Sequence, residues 1–446
     1  MSRPMRAYRW VYVGFGLSLT VGVQAEPAVE LTLVGDWAVR VMVRGAQGQT
    51  AVIQVPPPTQ CQVDAERYDA LPVFDSRAPG WLKGVRLRGV RAQETTTPGL
   101  MLPDSLKIRA GPDPDAEVFE PGRDYQADLH WATVGRLPQG RIRANQPVWV
   151  SYRHWQLRLD SIVLTPQGQI QLRSGQPQSA APLPPDLAPG EQRLANVWVC
   201  GGIAKLSPDH LFPILETTYP EPPKSSPTPA ERLLPQAMAR LRTGQPLRIL
   251  AWGDSVTDGS YLPDPKRQRW QEQFLARLQA RFPQARIELI TEAWGGHNTA
   301  HYLAEPPGSP HNYREKVLGA QPHLVVSEFV NDAGLSPAQV EERYSRFLAD
   351  FRSIGAEWII LTPHYVRPDW MGLNRERDID DDPRPYVAGL RQFAARHSLA
   401  LADAAARYGR LWRQGLPYTT LLLNSINHPD ARGLELFADA LMALFP

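Results

Sequence analysis

Four short stretches in the second half of this 446-residue chain hold residue types suited to acyl transfer. Ser255 stands in Gly253-Asp254-Ser255-Val256-Thr257-Asp258-Gly259, directly after an apolar run. A serine in a tight strand-to-helix turn between glycines exposes its hydroxyl, and the N–H groups opening the next helix favour an anion. Trp294-Gly295-Gly296-His297-Asn298-Thr299 offers a glycine whose backbone N–H can face a substrate, and Phe329-Val330-Asn331-Asp332 offers an amide side chain. Asn427-His428-Pro429-Asp430 sets a histidine in a loop before a final amphipathic stretch. Together they make a nucleophile (Ser255), a general base (His428) and an oxyanion hole (Ser255, Gly296, Asn331). The serine is not in a G-x-S-x-G elbow, which sets the usual α/β-hydrolase layout aside.

These residues need a frame that brings them together. Apolar runs Leu247 to Trp252, Ile287 to Ile290, Leu324 to Val330 and Trp358 to Leu361 alternate with helical patterns over Trp270 to Phe282, Pro337 to Ile354 and Asp430 to Leu444. Ser336, Pro337 and Gln339 form a strong helix start. Buried strands alternating with helices predict a parallel sheet covered on both faces, with the ligand site beyond the carboxyl ends of its strands. Residues 26–205 read differently: short period-two runs such as Trp37 to Val43, Ala51 to Val55 and Ser105 to Arg109, and a hairpin turning at Thr165-Pro166-Gln167-Gly168, predict an all-β sandwich-like domain. Its Trp131, Trp149, Tyr152 and Trp155 either line a sugar-binding face or pack its core. A Pro-rich linker is expected over 206–240, and the α/β domain over 241–446.

The C-terminal motif set resembles the SGNH hydrolases, the GDSL esterase/lipase family. Gly253-Asp254-Ser255 matches the nucleophile block, Gly296 the second block, Asn331 the third and His428-Pro429 the fifth. The resemblance covers about 247–446 and implies a three-layer flavodoxin-like fold and ester hydrolysis through an acyl-serine, without metal or organic cofactor. Two positions depart from the pattern. Val330 stands where the third block has glycine, and Ser425 stands where the family has aspartate three residues before the histidine. The residue that orients His428 must then be Asn424, Ser425, a backbone carbonyl or a carboxylate from elsewhere, with Asp382 of the run Asp378, Asp380, Asp381, Asp382 the nearest supply in sequence order.

His297, His364, Arg367 and Asp369 are candidate substrate contacts, as is Arg384 in the Pro-rich insertion; His364 is also a rival base. The acidic run lacks a calcium loop's glycine and glutamate, Pro383 and Gly389 standing there, so no metal site is expected. The N-terminus has a basic start, a thirteen-residue apolar run from Val11 to Val23 and a small-residue site at Ala25, the pattern of a cleaved signal peptide over 1–25. A secreted or periplasmic protein without a membrane span in its mature chain follows. Export leaves Cys61 and Cys200 either bonded or as two thiols. Lys+Arg 48 against Asp+Glu 46 excludes the strongly basic balance of a nucleic-acid binder. The expected substrate is a small-molecule or polysaccharide ester, with acetyl groups on a carbohydrate favoured over lipid because no long apolar lid exists. The missing aspartate supports an alternative, a carbohydrate-binding or surface protein with a degenerate site.

Overall fold

The protein, seen in a computed structural model, is described over residues 28–44 and 48–446. The segment expected to be a signal peptide, 1–25, lies outside the described residues.

Five parallel strands form the C-terminal sheet, in the spatial order Arg286–Ala293, Pro246–Gly253, Leu324–Glu328, Glu357–Leu361, Ala400–Ala402. Numbered along the chain this is 2-1-3-4-5, the flavodoxin-like order, which reverses direction between the first and third strands. The helices Trp270–Arg281, Pro337–Ser353, Pro385–His397 and Ala431–Met442 cover the sheet, and their apolar stripes share one core with it. Helix Pro337–Ser353 begins on the expected capping box, with Ser336 and Gln339 satisfying each other's backbone. At the centre lies Trp252, fully buried and ringed by Tyr302, Tyr313, Phe329, Phe347 and Phe351 at 4.8–6.2 Å between ring centroids.

Among the described residues, four antiparallel sheets make up the N-terminal domain. The sheet of Ala28–Gly35, Ala38–Arg44 and Gln49–Gln54 shares an apolar core with that of Ile170–Arg173, Arg158–Leu164, Gln192–Val199 and Leu211–Pro213. A second core joins the sheet of Gln60–Tyr68, Val148–Trp155, Lys107–Arg109 and Val118–Phe119 to that of Val85–Arg86, Thr133–Arg136 and Tyr125–Asp128. Two packed sheet pairs give the expected β-rich, sandwich-like architecture. The expected linker is shorter than 206–240: Leu211–Pro213 pairs with Gln192–Val199, and helices Pro229–Leu233 and Pro235–Thr243 bury Ala230, Leu234, Met238 and Leu241 in the α/β core. Cys61 and Cys200 are free thiols, which corrects the disulfide alternative; burial pushes the Cys200 thiol up to about 12.

The two domains are packed against each other. Trp412 and Leu416 of the α/β domain enter the second β core. Asn196 Nδ2 donates to Gly415 O at 2.7 Å, and Leu215 N to Arg413 O at 2.7 Å. Arg377 donates to the carbonyls of Pro208 and Leu211. Among the described residues no helix is long and apolar enough to cross a membrane.

Candidate active site

Ser255 opens a one-turn helix, Ser255–Asp258, at the carboxyl end of strand Pro246–Gly253. The turn requires glycine at 253, because a Cβ there would lie 2.1 Å from Thr257 Oγ1 and 2.4 Å from the Glu328 carbonyl oxygen. The Asp254 carboxylate accepts from Val256 N at 3.1 Å and from Asn331 N at 2.9 Å, tying the ends of the first and third strands together. Ser255 therefore sits at the topological switch point, where this fold opens a crevice.

The other motifs converge there. A Cβ on Gly295 would stand 3.7 Å from Ser255 Cβ, so the glycine turn lies beside Ser255. Gly296 has φ +75°, with open space around it and its backbone exposed. Asn331 Nδ2 donates to His297 O at 3.2 Å, which leaves its second N–H for a ligand. Asp332 braces this arrangement by accepting from Thr299 Oγ1 at 2.7 Å and Tyr344 Oη at 3.2 Å.

His428 arrives on the loop before the last helix, and its Nε2 lies 3.1 Å from Ser255 Oγ. The imidazole stacks on Tyr261, with ring centroids 4.2 Å apart and planes 10° off parallel. Its other nitrogen, Nδ1, lies 3.0 Å from Oε2 of Glu94, a residue of the N-terminal domain. The approach is oblique, a close contact rather than an in-line hydrogen bond, and Nδ1 makes no hydrogen bond to another group among the described residues. The His428 contact holds the Glu94 carboxyl below the usual carboxylate range, against the opposing effect of its partial burial.

None of the three side chains expected to orient His428 does so. Asn424 Oδ1 accepts from the N–H groups of Ile426, Asn427 and His428 at 2.9–3.0 Å, and so shapes the loop backbone. Ser425 Oγ pairs with Thr97 Oγ1 at 2.7 Å. Asp382 is buried in a bidentate pair with Arg384, whose Nη2 also donates to His364 O. Arg384 is thus structural. So is His364, fully buried with a nitrogen 2.8 Å from the Asn427 carbonyl oxygen; burial depresses its pKa well below the ordinary value, and it can neither touch substrate nor replace His428. His297 stays at the rim, stacked on Trp294 at 3.6 Å. Arg367 donates its backbone N–H to Ile426 O at 2.8 Å, and its guanidinium lies over Trp131 at 4.9 Å and Trp370 at 5.8 Å. Asp369 pairs with Arg367. Sequence reasoning missed Glu94, Tyr261 and Glu328; for Glu94 the one available signal was the vacant acid position at Ser425.

Glu328 lies under the Ser255 turn, wholly buried, with Oε1 unpartnered among the described residues and Oε2 accepting from Thr257 Oγ1 at 3.2 Å. Burial raises the pKa values of both Glu328 and Asp254, with the Asp254 charge adding to the rise at Glu328 and the Asp332 charge to that at Asp254; the two backbone donors favour charge on Asp254, so Glu328 is the member that holds a proton. A carboxyl raised by folding contributes its full stability below the unfolded value and loses it as pH rises through the folded one. Glu328→Gln, which cannot titrate, is therefore expected to melt like the wild type near pH 4 and at a higher temperature at pH 8. Thermal unfolding at the two pH values checks this, and equal melting points at pH 8 would count against a protonated Glu328. Among the described residues no group of three or more His, Cys, Asp or Glu side chains could hold a metal ion.

Residues 251–436 match the family model of GDSL-like lipases/acylhydrolases, so this part of the chain is a GDSL-like domain, a class of ester-bond hydrolases. Among solved structures, a two-domain esterase active on acetylated mannans is similar to 47% of this chain over 51% of its own, at 16% identity and TM-score 0.38. LAE5, an α/β hydrolase from the metagenome of Lake Arreo, is similar over 44% of this chain and 94% of its own, at 20% identity and TM-score 0.34. A variant of Axe2, an acetyl-xylooligosaccharide esterase from Geobacillus, is similar over 44% and 93%, at 17% identity and TM-score 0.35. No curated protein sequence matches the chain.

Proposed function

We propose that the protein is an exported serine esterase that removes acyl groups, acetyl foremost, from a carbohydrate by way of an acyl-serine. The observation that carries this reading is the 3.1 Å approach of His428 Nε2 to Ser255 Oγ at the switch point of the sheet. His428 takes the hydroxyl proton as Oγ adds to the ester carbonyl, and the oxyanion is met by the N–H groups of Ser255 and Gly296 and the free N–H of Asn331. Collapse breaks the bond to the alcohol oxygen, which leaves with the proton from His428. Water, deprotonated by the same imidazole, then adds to the acyl-serine and releases the acid and Ser255. Base assistance is worth roughly 10²–10⁴-fold and each oxyanion donor about 10²–10³-fold.

A carbohydrate is favoured by the aromatic surface beside the His428 loop. Trp81 of the β-domain lies 4.9 Å from the buried Trp131 behind it and 6.1 Å from Trp370 of the α/β domain, and Trp370 is 51% exposed. Exposed aromatic faces suit the apolar faces of sugar rings. Trp370→Ala is expected to raise KM for an acetylated oligosaccharide several-fold while leaving kcat and KM for a small aryl acetate unchanged; equal effects on both substrates would remove the argument for a glycan. The reaction class is tested by treating the protein with a fluorophosphonate and sequencing the modified peptide. Stoichiometric labelling of Ser255 together with acetate release supports the esterase, and an unlabelled, inactive protein refutes it.

A further inference from the structure

We infer that Glu94, on the N-terminal β-domain, is the positioning residue for His428, so that the active site is composed of both domains and reaches full rate only while they are docked. The inference rests on the esterase reading and deepens it. A histidine base works best when a carboxylate at the nitrogen remote from the nucleophile fixes its tautomer and orientation and stabilises the imidazolium. Here Nε2 faces Ser255 and Nδ1 faces Glu94 Oε2 at 3.0 Å. Asn424, Ser425 and Asp382, the side chains of the α/β domain best placed in sequence to do this, are each engaged with other partners.

The segment that brings Glu94 is held as a shaped turn. Ala92 N donates to Thr95 O at 3.1 Å and Thr97 N to Val90 O at 3.0 Å, which leaves Glu94 at the tip. Three bonds then clasp the tip to the His428 loop. Gln93 N donates to Leu423 O at 3.0 Å, Thr95 Oγ1 donates to Asn424 O, and Thr97 Oγ1 pairs with Ser425 Oγ. Ser425 thus grips the turn that brings the acid. On the far side Thr96 Oγ1 donates to Trp131 O, so the β-domain core supports the turn from behind. Such a set of partners on both sides of one carboxylate is more than surface complementarity requires, because a half-exposed glutamate adds little to docking by itself.

The other groups facing His428 are Tyr261, the neutral and buried His364 and, beyond Glu94, Arg86. None of these can stabilise an imidazolium as Glu94 does. Because Glu94 is 51% exposed and its approach oblique, its effect should fall below the roughly 10⁴-fold of a fully buried acid.

The test uses the full-length protein and a small aryl acetate. Glu94→Gln is expected to lose about 10²–10³-fold in kcat with little change in KM. The acid limb of its kcat/KM profile should also move to lower pH, since the imidazolium loses its counter-charge. Glu94→Asp should recover part of the rate, and Glu94→Ala should regain activity with added formate, which can reach this half-exposed position. Wild-type kcat with an unmoved acid limb in Glu94→Gln overturns the inference and leaves the esterase reading intact. A loss with neither limb movement nor formate rescue also overturns it, since that outcome marks a purely structural contact. Failure of the esterase reading shows elsewhere, as a wild-type protein that fluorophosphonate does not label.

Discussion

Ser255→Ala is expected to lower kcat on a small ester by about 10⁶-fold, with binding of a non-hydrolysable ester analogue unchanged. In the proposed mechanism the serine oxygen forms the bond that the reaction turns on, and the neighbouring Thr257 hydroxyl cannot substitute, since its Oγ1 is fully buried and engaged with Trp270 Nε1 and Glu328. His428→Ala should cost nearly as much, because an unassisted hydroxyl is a poor nucleophile at neutral pH. Groups that act as a unit are not additive, so the double variant should be no slower than either single one. Stopped assays on purified variants, with the Ser255→Ala preparation setting the background, check all three. A double variant slower by the product of the two losses would mean that Ser255 and His428 do not act together.

Trp252→Ala is expected to destabilise the α/β domain by about 3–5 kcal/mol, measured as a shift in the denaturant midpoint. The indole is fully buried and touches five aromatic rings, so its removal leaves a cavity that stiff neighbours cannot close. Its Nε1 has no hydrogen-bond partner among the described residues, so Trp252→Phe loses volume but no bond and should cost much less. The residue immediately precedes Gly253, and Trp252→Ala should therefore also reduce activity at temperatures where the fold still holds.

Much of the α/β domain could be read from the sequence because its strands are apolar runs long enough to carry a pattern, as in Pro246–Gly253 and Leu324–Glu328. The strand Ala400–Ala402 could not, since three residues have no period. Position after a strand marked His364 as a substrate contact, yet the packing of Tyr408 and Phe437 against it is a tertiary fact that spacing does not carry. Ser255, Gly296 and Asn331 could be named as candidates because each follows a strand whose end the sequence marks, and His428 because it stands just before the closing helix. Glu94 stands in Gln93-Glu94-Thr95-Thr96-Thr97, an ordinary polar turn whose importance comes only from what it meets.

Glu94 and His428 are separated by most of the length of the chain, and their meeting requires two cores to form first. Contacts of such long sequence range form late in folding, after the local ones have made them affordable in entropy. If Glu94 positions His428 as inferred, a chain in which only the α/β core had formed would hold Ser255 and His428 without the carboxylate beside them. The full rate of the proposed reaction would then report that both domains have folded and docked.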